Sequence, residues 1–144
     1  MANELDNALV QIQTYMRLAS LGLRGAPDRP PEQVNVFPFV ITRAGSGTWQ
    51  IGADGTKLGL HNLIIELHVA RNDLPRDLAT VNPYCDSIPN LLIDKLLHDN
   101  KWNHTISTFQ NIAYRYMVWD WAVNLKTIGI EFTVNNVKIQ TQVA

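Results

Sequence analysis

The pattern of apolar and polar positions is sharpest between residues 60 and 97. Leu63, Ile65, Leu67 and Val69 alternate with Asn62, Glu66 and His68. A period of two with β-branched content predicts a strand half-buried in an antiparallel sheet. A polar turn, Arg71-Asn72-Asp73-Leu74-Pro75-Arg76, follows it. A helical run over 77–98 comes next, with Asn82-Pro83 as its start. Pro89 is expected to break or kink that run, with Ser87 as a competing cap. Ile88, Leu91, Leu92 and Leu96 should rest on the sheet.

Upstream, Leu5, Ala8, Leu9, Ile12, Met16 and Ala19 recur at three- and four-residue spacing, predicting an amphipathic helix over 3–21. Asn3 would cap it, and Gly22 and Gly25 would stop it. A proline-rich loop over 24–35 leads to a hairpin with arms 36–44 and 47–53 and a Gly45-Ser46-Gly47 turn. Pro38 marks the first arm as an edge strand, or one that starts after it. Asp54-Gly55 predicts a second turn into the long strand, the hairpin and that strand together covering 36–70, so that three antiparallel strands would follow one another. The polar stretch 46–59 would then project as a hairpin suited to partner contact.

The closing strands fall over 105–134. Ile112, Tyr114, Tyr116 and Val118 alternate with Ala113, Arg115, Met117 and Trp119. Trp119-Asp120-Trp121 reads as a turn, and Ile128, Ile130, Phe132 and Val134 share one face of a last strand over 123–134. Residues 135–144 read as a polar tail, to which Val137 and Ile139 add a little strand. The expected order is α-β-β-β-α-β-β. That is an α+β fold with an antiparallel sheet of about four to five strands and two main helices on one face, in a single domain over 1–144.

Composition changes this picture little. The 144 residues carry a net charge of −1, so the strongly basic footprint of a nucleic-acid binder is missing. Cys85 is the only cysteine and cannot form an intramolecular disulfide. The first residues lack the pattern of a signal peptide, and no apolar run reaches the ~20 residues of a membrane span. The expectation is a soluble chain made in a cytoplasm.

Candidate chemistry is sparse. His61 and His68 lie seven apart on one strand and point to opposite faces, so they cannot share a metal. His98 and His104 sit in or near a polar loop. Solvated or locally hydrogen-bonded histidines are the expectation. The carboxylates are scattered. Glu66 and Glu131 become neighbours if their strands pair, where they are expected on a solvated sheet surface. No motif surrounds Cys85, which reads as a small core residue. Gly45-Ser46-Gly47 lacks the lysine and following helix of a phosphate loop. Asn103-His104-Thr105 matches a glycosylation sequon, idle without a signal peptide. Trp102, Trp119, Trp121, Tyr114 and Tyr116 concentrate aromatics without interleaved basic residues, which favours core or interface over base stacking. No cofactor, metal or catalytic residue is assigned.

The layout as a whole resembles the tail terminator (tail completion) proteins of long-tailed bacteriophages. The similarity rests on the order of elements and on the Leu63–Val69 strand with its Asp73-Leu74-Pro75 turn. It rests too on the helix bearing Asn82-Pro83-Tyr84 and on the closing pattern over 122–134. The resemblance implies a non-enzymatic virion protein that forms a homohexameric ring on the head-proximal end of the tail. Such a ring would cap the tail-tube protein, stop polymerisation and present a face to the head connector, with DNA passing through its lumen without sequence-specific binding. Interface candidates on this reading are Trp49, Asp54, Lys57, Arg71, Asn72, Asp73 and Arg76. The alternatives are another neck or head-completion protein, a small cytoplasmic enzyme or ligand-binding module, and a nucleic-acid-binding domain. The lack of a paired site counts against an enzyme, and the charge balance against nucleic acid.

Overall fold

The computed structural model describes residues 4–19, 21–28, 37–52, 55–71, 81–122 and 125–142. In chain order the elements are α1 (Glu4–Leu18), β1 (Phe39–Ile51), β2 (Thr56–Arg71), α2 (Tyr84–His98), α3 (Asn100–His104), β3 (Asn111–Ala122) and β4 (Leu125–Gln142). The strands form one antiparallel sheet in the order β1-β2-β4-β3. The helices pack on one of its faces, so the fold is α+β.

The alternation in β2 does what its period requires. Leu63, Ile65 and Leu67 are fully buried under the helices, beside Ile130, Phe132 and Val134 of β4. Ala8, Ile12 and Met16 from α1, with Ile88 and Leu92 from α2, close this core. Burying each large aliphatic side chain contributes about 1.5–3 kcal/mol. Gln13 pins α1 to the sheet margin. Its Nε2 donates to the carbonyls of Val40 (2.9 Å) and Pro27 (2.7 Å), and its Oε1 accepts from the Thr42 hydroxyl at 2.6 Å. A buried amide is tolerated there because its donor and acceptor are both satisfied.

Several expectations need correction. Gly45-Ser46-Gly47 is not a turn, because β1 runs straight through it with a bulge between Ala44 and Ser46. The glycines instead admit cross-strand side chains. A Cβ on Gly45 would meet Ile64 Cδ1 at 2.8 Å, and one on Gly47 would meet His61 Nδ1 at 2.2 Å. Among the described residues two strands, rather than three, therefore precede α2, and the 46–59 stretch does not project alone, since β4 pairs with its second arm from Thr56 onward. Next, α2 continues through Pro89 to His98, with Ser87 inside it. Lastly, Trp119-Asp120-Trp121 belongs to β3. Residues 135–142 of the predicted polar tail belong to the second half of β4, where Val137 and Ile139 are buried opposite His61 and Gly59. Pro38 immediately precedes β1, which is indeed an edge strand. Asn3 and the 72–80 segment lie outside the described residues.

Between α2 and β3, five consecutive residues, Asn100–His104, take positive φ between 48° and 64°. This makes α3 a left-handed turn. Such a conformation costs roughly 1–2 kcal/mol for each residue bearing a Cβ. Trp102 anchors it. The indole is fully buried, and its Nε1 donates to the Leu92 carbonyl at 2.9 Å.

Candidate functional site

Three surfaces carry unusual side chains. The first lies at the hairpin end of the sheet, on the helix-bearing face. His61 projects between Gly47 and Gly59, where a Cβ on either strand would strike its ring. Trp49 covers it edge-on, with ring centres 4.5 Å apart. Lys57 Nζ lies 4.2 Å from the centre of the Trp49 ring and 3.8 Å from Glu4 of α1. Ile51, at the end of β1, is 96% exposed. Among the described residues His61 Nε2 has no hydrogen-bond partner. Burial, and then the Lys57 charge, push the imidazole pKa below its ordinary value.

That depression has a pH consequence. The unfolded chain binds a proton at His61 near pH 6.5, and the folded chain binds it only at lower pH. The associated stability is complete above that value and is lost as pH falls from it toward the folded pKa. Urea unfolding between pH 7 and about pH 5 should show a declining midpoint, and His61→Gln should flatten the decline. An unchanged slope in the variant would assign the effect elsewhere.

The second surface is the opposite face, where β2 and β4 place Glu66 directly across from Glu131. The two carboxylates do pair as neighbours, but they are not solvated, with side chains 12% and 9% exposed. An arginine from each edge strand explains this. Arg43 of β1 reaches Glu66 Oε2 at 2.8 Å, and Arg115 of β3 reaches Glu131 Oε1 at 2.9 Å. His68, fully buried, has Nε2 3.3 Å from Glu66 Oε1 and Nδ1 2.8 Å from the Thr127 hydroxyl, with the Trp119 ring centre 4.3 Å away. Burial raises the Glu66 pKa, but hydrogen bonds from His68 and Arg43 and their charges outweigh it, and the net shift is downward. The row Arg43–Glu66–Glu131–Arg115 spans all four strands. It neutralises two adjacent carboxylates that would otherwise repel each other.

The third surface is the outer strand of the helix-bearing face. Tyr114, Tyr116 and Val118 of β3 are 58%, 48% and 45% exposed, although their β4 partners Phe132, Ile130 and Ile128 are buried. The helices stop short of this strand, so the core is left open along it.

A shallow polar cleft of about 840 Å³ lies between α1 and α3, lined by Glu4, Asp6, Asp28, Asn103 and His104 among others. Its carboxylates have partners, Glu4 with Lys57 and Asp28 with Arg17 at 2.6 Å. Among the described residues no group of three His, Cys, Asp or Glu could hold a metal ion. His61 and His68 do face opposite sides. Both are buried instead of solvated, because Trp49 and Trp119 cover them. Exposed His98 pairs with Asp94. Cys85 is half-buried against the core, and burial followed by the Asp86 charge raises its thiol pKa, which leaves it a poor nucleophile.

Of the residues singled out by sequence, the structure brings Trp49 and Lys57 together. Arg71 closes β2 at its other end, fourteen positions and about 45 Å along the strand from Lys57. These residues therefore do not form one patch. Asp54, Asn72, Asp73 and Arg76 lie outside the described residues. Tyr114 and Tyr116 of the exposed β3 row are among the aromatics that the sequence places in core or interface, but the row is absent from the named interface candidates. Its alternation is visible in the chain, but a strand's apolar row signals burial unless one knows where the covering helices end.

No family model fits the chain, and no curated protein sequence is significantly similar to it.

Proposed function

We propose that this chain is a structural virion protein that forms a ring on the head-proximal end of a long phage tail. The ring ends polymerisation of the tail tube and offers the surface for head attachment. One observation carries the reading, the placement of exposed apolar side chains on opposite margins of one sheet. Trp49 and Ile51 lie at the end of β1, and Tyr114, Tyr116 and Val118 lie along β3. Two unlike patches on opposite margins do not suit a two-fold dimer, in which one patch meets itself. They suit a head-to-tail contact, which closes into a ring. The α+β class agrees with the layout on which the resemblance to tail terminators rests, with two described strands in place of three before α2. Partners on this reading are further copies of the chain, the last ring of tail-tube subunits and the head connector. DNA passes through the lumen, and a net charge of −1 is compatible with passage without tight binding. Assembly takes place in the host cytoplasm, and the role requires no catalysis.

Light scattering at physiological salt tests the ring. The expected result is a discrete species of about six times the 16.3 kDa chain mass. A strict monomer at every concentration would overturn the reading.

A further inference from the structure

The sheet order leaves β1 and β3 as the two edge strands. Edge strands that remain in solvent are blunted by shortness, proline, lysine or strong bulges, because their free main-chain groups invite another strand. β3 has none of these in strength. It is twelve residues long, contains no proline, glycine or lysine, and commits its one arginine, Arg115, to Glu131. Only a late irregularity near Ala122 interrupts its pairing with β4.

The outer margin of β1 is its counterpart in shape. Its beginning is already closed, since Gly25 bridges Phe39 and accepts from the Val40 amide at 2.9 Å. From Arg43 to Ile51 the strand is exposed; the middle of that stretch is Ala44-Gly45-Ser46-Gly47-Thr48, with one bulge between Ala44 and Ser46 and regular pairing from Ser46 onward. A row of small residues thus lies on one edge of the molecule and a row of aromatics on the other. Aromatic side chains placed across strands from glycine cover the bare backbone and stabilise the pairing.

We propose that β3 of one copy adds to β1 of the next by main-chain hydrogen bonds, its tyrosine row lying over the small residues of β1. The inference rests on the ring reading and specifies its interface. Strand directions allow it. Alternation through β1-β2-β4-β3 makes β1 and β3 run in opposite senses, so copies related by rotation about an axis along the strands meet as an antiparallel pair. Repetition gives a continuous wall, four strands from each copy, with no free edge.

The test uses two lysine substitutions on exposed positions, Tyr116→Lys on β3 and Thr48→Lys on β1, with mass measured by light scattering and folding checked by far-UV circular dichroism. Each variant alone should fall to the mass of one chain with an unchanged spectrum. An equimolar mixture should give a two-chain species and stop there, because it holds one intact β3–β1 junction between two blocked edges. Variants that keep the wild-type ring mass, or a mixture with no two-chain species, overturn edge pairing and leave the ring reading standing. A wild-type chain that is monomeric throughout overturns both. Should either variant lose its spectrum, Val118→Lys and Gln50→Lys probe the same strands.

Discussion

Gly129→Ala should abolish stable folding. Gly129 sits in β4 opposite His68 of β2, beside the bulge between His68 and Ala70. A Cβ there would lie 1.7 Å from the Leu67 carbonyl oxygen, 2.8 Å from its carbon and 3.2 Å from His68 Cα. All three are main-chain atoms of the neighbouring central strand, so no side chain can rotate away. The strands would have to part where Leu67 and Ile130 close the core on one face and His68 meets Thr127 on the other. We expect a loss of more than about 4 kcal/mol, in the range reserved for backbone clashes and core disruption. Thermal unfolding against a Gly52→Ala control checks this. The nearest atom to a Cβ on Gly52, the Thr56 carbonyl oxygen, is 3.2 Å away near the hairpin end, and the control should lose about 1 kcal/mol or less. Equal unfolding midpoints would show that the central pair has slack that the geometry denies.

Trp102→Ala should cost about 4 kcal/mol. Among the described residues Trp102 is the largest fully buried side chain, stacked toward Phe109 with ring centres 5.4 Å apart. It also holds the left-handed turn, which hydrogen bonds from Asn103 N to Asp99 O and from Thr105 Oγ1 to Trp102 O brace locally. Asp99 in turn accepts from the Tyr15 hydroxyl at 2.5 Å, tying the turn to α1. Burial and the Asp99 carboxylate both raise the Tyr15 pKa, so this phenol remains a donor at neutral pH. Trp102→Phe separates the contributions. It keeps one aromatic ring in the core, loses the bond to Leu92 O and leaves a smaller cavity than alanine does, for about 2 kcal/mol. Denaturant unfolding of the two variants should therefore differ by at least ~2 kcal/mol. Equal losses would mean that the hydrogen bond, and not packing, fixes the turn.

The parts of the fold legible in the sequence are those set by local period. The stripe Ala8–Ile12–Met16, the alternation Leu63–Ile65–Leu67 and the row Ile130–Phe132–Val134 define the core through spacing alone, and all are buried. What could not be read depends on partners distant in sequence. Gly45 and Gly47 look like a turn because glycine clusters mark turns and bulges alike. The Ile64 and His61 side chains decide between them from across the strand. Glu66 and Glu131 alternate outward like solvated residues, and only the arrival of Arg43 and Arg115 from the edge strands buries them. The left-handed turn has no sequence signal beyond Asn100 and Asn103, which tolerate positive φ better than most residues. Val137 and Ile139 read as a little strand within a polar tail until pairing with β2 makes them core.

The candidate site was legible only in outline. Trp49 and Lys57 meet as a cation over an aromatic ring, while Arg71 lies at the far end of the same strand as Lys57. The β3 row takes its meaning from the reach of the helices, which no local pattern encodes.

The most direct measurement of the central claim is growth of tail tubes followed by electron microscopy, with the tube protein of the same virus polymerising in the presence and absence of this chain. The account predicts that tubes stop lengthening once the chain is added and carry a ring at one end only. Tubes that grow at an undiminished rate, with no density added at either end, would contradict it.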